Sequence, residues 1–486
     1  MHNHRQLKTF INPKNITVIG ASERPGAWGS FIMESLLTWK FPGNIYPVNP
    51  KAKTIYGIPA FPDIKAVPDP VDLAVIAIPV EFLETTVKAC GKKGYRGVTI
   101  ITAGLSEAVT NGLEREKALT EMAGSYGMRL LGPNVSGTFN LHACFNASGS
   151  PANFLFPTSL AGICQGGYAI YDLMSSVYEK KMGIGKFIHT GNECDTTVTD
   201  FLEYFGDDEE VKGIIMYLET LRDGDRFFKA ASKIAQKKPI IIHKAGRTQA
   251  GSRAASSHTG ALACRQNIFE AAFKQANIIF CPTMELLIPM ADALIERPPL
   301  LGSKVGIITM GGSWGVALSD VLEENGLSVP QFSQHLRQKL TELGMPERAS
   351  TKNPVDIGAA GAMSFSPETL LQIGRAILTS GEVNSLIVHG FGRSGFLDKN
   401  IPQSWKEFTA MEISIMEKFS VLEKELDFPV ILGCSLTLWE SESVHDITKK
   451  GIRTFNRLDD IAGILSKMYL YYKHKLKKIK GHSSIS

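Results

Sequence analysis

Short, continuously apolar segments alternate with helix-like segments along most of this chain, and the alternation constrains the fold more than any other feature. The apolar segments are rich in Val and Ile, which is typical of strands covered on both faces of a parallel sheet. Helical patterns such as residues 82–94 lie between them. The pattern predicts an α/β protein built on doubly wound parallel sheets. We place strands at residues 15–20, 72–79, 97–102, 159–164, 213–219, 239–243, 304–310, 385–389 and 429–433.

The strands fall into three groups along the 486 residues, a length that suggests about three domains. A small-residue stretch at 146–151 and a proline-containing run at 297–300 separate the groups. We therefore predict domains at residues 8–140, 152–296 and 301–470. The second and third groups both open with a strand, a glycine-rich turn and a helix, although no exact repeat relates them.

The composition argues against several classes of function. A net charge of +4 on this length gives no electrostatic footprint for nucleic acid. The seven cysteines are scattered without a CxxC pair, which argues against a zinc site and for reduced thiols in the cytoplasm. No apolar run approaches the roughly 20 residues of a membrane span, and the N-terminus lacks a signal-peptide core. The basic run at 473–480 is interpreted as a solvated helix end, with membrane or nucleic-acid contact the lesser alternative.

A glycine-rich loop follows the first strand and precedes a helix. Its glycines, Gly20, Gly26 and Gly29, let the backbone approach a phosphate, and a helix N-terminus adds free N–H donors. The spacing is not G-x-G-x-x-G, and Asn49 with nearby lysines stands where an acidic residue would bind the ribose of NAD. From these residues alone, a dinucleotide site and a turn that serves only packing both stay open.

A second loop of small residues follows the strand at 239–243 and carries His258 directly before Thr259 and Gly260. Free imidazole is nucleophilic at neutral pH, so a histidine on such a loop can accept and pass on a phosphoryl group. Backbone N–H groups of this loop and of the glycine turn at 165–167 can hold the phosphate oxygens. The alternative interpretation of His258 is an ordinary loop histidine.

Several motifs, in one order from about residue 8 to about residue 465, resemble those of the NDP-forming acyl-CoA synthetases. The similarity is to the α-subunit type of ADP-forming acetyl-CoA synthetase, which is related to succinyl-CoA synthetase. The resemblance implies a Rossmann-like CoA-binding domain followed by two flavodoxin-like domains. The motifs lie at residues 12–22, 44–51, 70–79, 101–104, 132–134, 246–251, 257–260, 311–315 and 353–356.

The resemblance also implies roles for individual residues. His258 becomes the phosphorylated residue, and Glu219, at the end of the strand at 213–219, becomes the carboxylate that orients its imidazole. Without the resemblance, Glu219 would be interpreted as a strand-end surface charge. The implied CoA-binding residues are Gly20, Ala21, Ser22, Gly26, Gly29, Asn49, Lys51, Pro79, Thr102 and Ala103. The implied phosphate-binding residues are Gln165, Gly166, Gly167, Thr259 and Gly260, and no metal ligand is implied on this chain.

We find no ATP-grasp segment in the sequence, so the resemblance implies an α-type subunit. A separate β-type ATP-grasp chain would bind ATP or ADP and Mg²⁺, and the two would form a hetero-oligomer acting on a small carboxylic acid or its acyl-CoA. The chain departs from the family at 164–167, where Cys-Gln-Gly-Gly replaces Ser-Gln-Ser-Gly, at Val135, where cysteine is common, and at 192–195. These departures keep a non-catalytic CoA-binding or regulatory protein open as an alternative. An NAD-linked dehydrogenase is a weaker alternative, and nothing positive indicates a scaffold.

Overall fold

A computed structural model describes residues 2–150, 153–167, 169–251, 253, 266–358, 366–392 and 403–483 of the chain. By its internal contacts the chain divides into two units. The first unit comprises Met1–Tyr178 with Gly183–Ala291, and the second comprises Glu179–Met182 with Asp292–Ser486.

Seven strands come first in the first unit: β1 (Asn15–Ile19), β2 (Asn44–Val48), β3 (Thr54–Ile55), β4 (Ile58–Pro59), β5 (Leu73–Ile76), β6 (Gly97–Ile100) and β7 (Arg129–Leu131). Five of them form a parallel sheet in the order β2-β1-β5-β6-β7, while β3 and β4 pair as a separate antiparallel ribbon. The chain changes direction across the sheet next to β1. The carboxyl ends of β1 and β5 therefore form a topological switch point, where ligands bind in open α/β sheets.

The second sheet of this unit contains β8 (Gly137–Asn140), β9 (Phe145–Ser148), β10 (Leu160–Cys164), β11 (Lys186–His189), β12 (Gly213–Leu218), β13 (Ile240–Lys244) and β14 (Ile279–Phe280). Its order is β14-β13-β12-β10-β11-β8-β9. The strands from β10 to β14 are parallel, whereas β8 pairs antiparallel with both β11 and β9. The carboxyl ends of β10, β11, β12 and β13 therefore meet at one edge of this sheet.

Helices connect these strands, and their ends follow ordinary local signals. Helix Leu83–Lys93 has Glu84 in its first turn and two lysines in its last turn, and Gly94 ends it with φ 93°. This charge order suits the helix dipole, and a glycine tolerates the left-handed cap. The helices beginning in the first unit are His2–Ile11, Trp28–Thr38, Leu83–Lys93, Gly112–Ser125, Ala169–Lys180, Val198–Asp207, Gly224–Ile234, Gln266–Ala276 and Leu287–Ile295, with short 3₁₀ turns at Val80–Phe82 and Leu141–Ala143.

One continuous hydrophobic core joins the two sheets of the first unit. Buried residues of β1, such as Ile16, belong to the same cluster as Ile163 of β10 and Ile214 of β12. The N-terminal helix connects them: the Phe10 and Phe201 rings pack edge to face with centroids 6.2 Å apart, and the Thr138 hydroxyl donates to the Phe10 carbonyl at 3.1 Å. The shared core fixes the two sheets relative to each other within this unit.

The second unit has one parallel sheet of β15 (Val305–Thr309), β16 (Val355–Asp356), β17 (Ser385–His389), β18 (Val430–Gly433) and β19 (Thr454–Phe455). Its order is β16-β15-β17-β18-β19, again with a switch point beside its first strand. The unit has its own core, which includes Ile308, Val388 and Phe419. Its helices are Gly312–Glu324, Gln334–Glu342, Pro367–Thr379, Gln403–Leu426, Glu442–Lys449 and Leu458–Ser483.

The predicted α/β class with three parallel-stranded sheets is confirmed, and every strand that we placed is present with ends shifted by a few residues. The hairpin β8–β9 was not predicted. Because it pairs with β11, it belongs to the second sheet although it precedes the boundary expected near residue 152. The division into domains at residues 8–140, 152–296 and 301–470 stays a prediction. Among the described residues, no helix is both long and apolar enough to cross a membrane.

Candidate functional site

A cavity of about 1150 Å³ lies within the first unit. Its first part is lined by the loops that follow β1, β2, β5 and β6 at the carboxyl edge of the first sheet. All ten residues predicted to bind CoA line it. Residues from the second sheet and the segment leading to it line the other part of the cavity. Its lining includes Gly167, which was predicted to bind phosphate. It also includes Arg24, Trp28, Tyr171 and His189, together with Asn134, Val135 and Ser136, none of which was predicted as a site residue.

The glycine loop after β1 has the geometry that a close backbone turn requires. Gly20 has φ +88°, and a Cβ there would lie 2.3 Å from the Ala77 carbonyl oxygen. A Cβ on Gly29 would lie 2.0 Å from the Gly20 carbonyl oxygen. Helix Trp28–Thr38 begins at this turn, and its N-cap residue, Ala27, has no side-chain acceptor. The N-terminal end of the helix therefore faces the cavity as a potential anion site.

Two of the predicted ligands use their side chains to hold the loops of the cavity. The Asn49 amide donates to the Ala21 carbonyl at 2.8 Å, and its oxygen accepts from the Lys51 backbone N–H at 2.9 Å. Thr102 donates its hydroxyl to the Ile78 carbonyl at 2.8 Å. These bonds connect the loops after β2, β5 and β6 to the rest of the site. Asn49 and Thr102 thus shape the cavity through its backbone.

The cavity lining carries cations and, among the described residues, no carboxylate. Lys51 lines the cavity, as does Arg24, whereas Lys53, two residues further along, is not part of the lining. A cleft lined by one sign of charge raises the local concentration of a ligand of opposite charge. The arrangement favours a polyanionic ligand over NAD, whose ribose is normally bound by an acidic residue.

The second part of the cavity ends at the glycine turn at Gly167, which lies against the ring of the buried His189. Gly167 precedes helix Ala169–Lys180, and a Cβ on it would lie 3.2 Å from the His189 ring. The Nδ1 atom of His189 accepts from the Ser136 backbone N–H at 2.6 Å, and its Nε2 atom donates to the Gln165 carbonyl at 2.8 Å. Because both ring nitrogens form hydrogen bonds, the His189 ring is held in one orientation and packs against the glycine turn.

Gln165 connects this turn to the strand end that carries Glu219. Its side-chain oxygen accepts from the backbone N–H groups of Glu219, at 2.6 Å, and Thr220, at 3.0 Å. Its amide nitrogen donates to the Thr220 carbonyl at 2.9 Å. The Lys244 ammonium donates to the Glu219 carbonyl at 2.7 Å. The Gln165 side chain thus fixes the position of Glu219. Its main-chain N–H donates to the Tyr217 carbonyl at 3.1 Å and its carbonyl accepts from His189, so Gln165 supports the turn through both its side chain and its main chain.

A buried carboxyl lies on the other side of Gln165. Glu193 accepts from the Thr190 hydroxyl at 2.9 Å and from the Val198 N–H at 3.0 Å, and it also hydrogen-bonds the Gln165 side chain. Burial raises the pKa of Glu193 to about 7, although these hydrogen bonds oppose the increase. The segment at 192–195 is one of the places where the sequence departs from the resembling family.

Asn192 links the second sheet to the loop after β6. Its amide donates to Glu107 at 2.5 Å, to Glu116 at 2.7 Å and to the Ser106 hydroxyl at 3.1 Å. Burial alone would raise the pKa of Glu107, but the Gly104 N–H and the Asn192 amide outweigh it, so the net pKa is lowered. This polar cluster therefore ties the loop that carries Thr102 and Ala103 to the second sheet.

The structure brings Glu219, Gln165, Gly166 and Gly167 together at the carboxyl edge of the second sheet. His258, Thr259 and Gly260 lie outside the described residues, so their predicted roles stay predictions. Among the described residues, no group of three or more His, Cys, Asp or Glu side chains could hold a metal ion.

Two segments match known protein families. Residues 14–139 match a CoA binding domain, and residues 157–294 match a succinyl-CoA ligase like flavodoxin domain. The α subunit of an ADP-forming acetate–CoA ligase (form II) from Pyrococcus furiosus is 38% identical over 94% of this chain and 96% of its own length. An ADP-forming acetate–CoA ligase from Methanocaldococcus jannaschii is 38% identical over 72% of this chain but only 49% of its own length.

A solved structure is similar over almost the whole chain. It is the dinucleotide-forming acetyl-coenzyme A synthetase 1 of Ca. Korarchaeum cryptofilum, in complex with phosphate and ADP. The TM-score is 0.84 at 31% identity, and the match covers 98% of both chains.

Proposed function

The chain belongs to the ADP-forming acetate–CoA ligase family, and from that premise we propose that it is the α-type subunit of an acid–CoA ligase. The reaction is acyl-CoA + ADP + phosphate ⇌ acid + CoA + ATP. The observation that carries the proposal is the single cavity that joins the glycine loop after β1 to the glycine turn at Gly167. A CoA bound at the first would extend its thiol toward the second.

CoA, as substrate, fits the residues of the cavity. The backbone of Gly20–Gly29 and the N-terminal end of helix Trp28–Thr38 would hold its pyrophosphate, and Lys51 with Arg24 would neutralise its negative charge. Asn49 and Thr102 would keep the loops in place. This assignment is supported by the match of residues 14–139 to a CoA binding domain.

The phosphoryl group would travel on His258. In the acid-activating direction, a nucleotide phosphorylates this imidazole, and the phosphoryl group then passes to the substrate carboxylate and gives an acyl phosphate. The thiol of CoA attacks the acyl carbon and releases phosphate, which splits one difficult step into three. Glu219 would orient the His258 imidazole, and the backbone N–H groups of Gly166, Gly167, Thr259 and Gly260 would hold the phosphate.

The nucleotide and its Mg²⁺ would bind a β-type ATP-grasp partner, so the active enzyme would be a cytoplasmic hetero-oligomer. The name of the Pyrococcus furiosus relative, which specifies an α subunit, supports a separate partner. The substrate would be a small carboxylic acid or its acyl-CoA, with no nucleic acid or membrane involved.

The test is phosphorylation of the chain by its partner. We expect that incubation with the β-type partner, Mg²⁺ and γ-labelled ATP labels the chain with an acid-labile phosphate. The His258→Asn variant should remain unlabelled, and a His142→Asn variant should label normally because His142 lies outside the cavity. Label that persists in His258→Asn, or that is stable in acid, would contradict the proposal.

The same experiment distinguishes the proposed ligase subunit from the alternative of a non-catalytic CoA-binding protein. The observation that favours this alternative is the turn at Gly166, which lacks the hydroxyl that the family usually places there. A chain that binds CoA but gains no phosphate from a competent partner would support it.

A further inference from the structure

Tyr217 and Glu219 lie on the same side of one strand end. They are two residues apart on β12 and its continuation, and side chains alternate between the faces of a strand with a period of two. The Tyr217 hydroxyl hydrogen-bonds the Glu219 carboxylate. Gln165 and Lys244 meanwhile hold the backbone of Glu219. The position of the carboxylate is therefore determined from both its main chain and its side chain.

Neighbouring strands fix the Tyr217 ring. His243 of β13 is its partner in the sheet register, and the two rings stack with centroids 5.9 Å apart and planes inclined by 21°. The His243 ring is in turn oriented by a hydrogen bond of 3.0 Å between its Nδ1 atom and the Cys281 carbonyl. A ring held in this way loses little further freedom when its hydroxyl binds a carboxylate.

The same ring accounts for the glycine at position 166. A Cβ on Gly166 would lie 2.7 Å from the Cε1 atom of Tyr217 and 3.2 Å from a carboxylate oxygen of Glu219. The tyrosine ring and the carboxylate therefore occupy the space in which a side chain at position 166 would begin. The Gly166 turn and the Tyr217–Glu219 pair form one packed arrangement.

We propose that Tyr217 is a positioning residue for the phosphoryl site, with its hydroxyl holding the Glu219 carboxylate over the glycine turn at Gly166. This inference rests on the proposed function, in which Glu219 orients His258. It gives a physical reason for the change at the glycine turn, because the Tyr217 ring occupies the space in which the side chain of the family's serine would begin.

Tyr217 is chemically suited to this role as a neutral donor. Burial, followed by the charge of Glu219, raises the pKa of its hydroxyl, so it stays protonated throughout the working range of an enzyme. The ionisable groups around it are Glu219 on its own strand, Cys164 on β10, Asp172 on helix Ala169–Lys180, and His243 on β13. Of these, Glu219 accepts its hydrogen bond.

The test is a double-mutant cycle on the full chain with its β-type partner, read out as the rate of His258 phosphorylation. We expect the Tyr217→Phe chain to be phosphorylated on His258 about 10- to 100-fold more slowly than wild type, because it loses a hydrogen bond from a neutral donor to a charged group. In a Glu219→Gln background the same change should alter the residual rate by less than about two-fold, because Tyr217 acts through the carboxylate.

Tyr204→Phe is the matched control, since Tyr204 is a half-buried tyrosine of the same unit whose acidic neighbours are Asp208 and Glu210 rather than Glu219. It should leave the rate of His258 phosphorylation unchanged. A Tyr217→Phe chain that is labelled as fast as wild type would overturn the role of Tyr217 and leave the proposed function intact. If Tyr217→Phe slowed phosphorylation equally in the wild-type and the Glu219→Gln chains, the role of Tyr217 would also be overturned. A general packing defect would slow both chains equally, whereas an effect through the Glu219 carboxylate would not. A wild-type chain that gains no label would overturn the proposed function and, with it, this role.

Discussion

At the scale of single residues, Glu193 couples proton binding to the stability of the site. Its carboxyl is buried beside Gln165, and burial raises its pKa to about 7. In the unfolded chain the same group titrates near its ordinary value, roughly 4.3. Below that pH both states are protonated and Glu193 has no effect. Between the two pKa values the unfolded state loses its proton while the folded state keeps it, so folding becomes less favourable as the pH rises.

We expect Glu193→Gln to remove this pH dependence. The variant should gain on the order of 3 kcal/mol in free energy of unfolding relative to wild type as the pH rises from about 4 to about 8, because glutamine does not titrate. Thermal unfolding midpoints at both pH values measure the difference. Glu209→Gln, at an exposed position of the same unit, is the control and should leave the wild-type pH dependence unchanged. A variant whose midpoints follow the wild-type pH dependence would show that Glu193 is ionised in the folded protein.

The residues of the site were predictable to different degrees. The glycines of the first loop have a sequence signal, since small residues between a strand and a helix permit a tight turn, and all of them line the cavity. Gln165 was expected to bind phosphate, but its side chain bonds the backbone at 219–220. His189 and Tyr217 gave no signal, because their roles depend on which strands become neighbours. That information arises only in the folded sheet.

At the scale of elements, we expect the loop after β2 to influence which nucleotide the first sheet binds, because Asn49 and Lys51 of this loop line the cavity. Asn49 holds this loop against the glycine loop, and its bond to the Lys51 backbone fixes the point from which the Lys51 side chain extends. Lys51 then lines the cavity, while Lys53, two residues further along the chain, does not. The geometry of this loop therefore places Lys51, and not Lys53, where it can contact a ligand in the cavity.

We expect CoA to bind more tightly than NAD, and Lys51→Ala to weaken CoA binding about 5- to 100-fold. A charge-assisted bond to the 3′-phosphate contributes roughly 1–3 kcal/mol, which corresponds to that range. Dephospho-CoA should bind more weakly than CoA to the wild-type chain and should lose little further affinity in Lys51→Ala. Lys53→Ala is the matched control and should bind CoA like wild type. Isothermal titration measures all of these affinities, and equal effects of the two lysine changes would contradict the assignment.

The elements themselves were predictable where their hydrophobic pattern was continuous. Strands such as β5 and β18 are buried along their whole length, so their sequences are uniformly apolar. The hairpin β8–β9 was missed because its strands, Gly-Thr-Phe-Asn and Phe-Asn-Ala-Ser, carry polar residues that are nevertheless buried. Asn146 shows the reason: its side chain bonds Ser148 and the Ser150 carbonyl, so its polar atoms are satisfied inside the protein. Local sequence does not reveal such partners.

At the scale of the whole molecule, the first unit brings the two halves of the proposed chemistry together. A continuous core joins its two sheets, and the cavity extends from the glycine loop after β1 to the glycine turn before helix Ala169–Lys180. The proposed CoA site and the proposed phosphoryl site therefore lie in one unit of the chain. In our proposal the nucleotide binds the β-type partner and has no site on this chain. The chain spans about half the length of the Methanocaldococcus jannaschii relative.

We therefore expect that the purified chain alone does not form acyl-CoA from ATP, acid and CoA. Phosphoryl transfer from a nucleotide requires Mg²⁺ held by carboxylates and a cradle for the β and γ phosphates. The sequence contains no Gly-x4-Gly-Lys-Ser/Thr loop, and the glycine loop at Gly20–Gly29 lacks the lysine that a P-loop places before its helix. A coupled assay of acyl-CoA formation, performed with and without the β-type partner, tests this division of labour.

Addition of the partner should restore turnover, and partner plus the His258→Asn chain should not. The chain alone should still bind CoA, since the cavity lies entirely within its first unit. CoA binding without turnover, followed by turnover on mixing, would separate a missing nucleotide site from a misfolded preparation. Sustained ATP-dependent acyl-CoA synthesis by the chain alone, at a rate that follows its concentration through successive purification steps, would place the nucleotide site on this chain. The phosphoryl group would then reach His258 from within one polypeptide, and the partner would no longer be required by the chemistry.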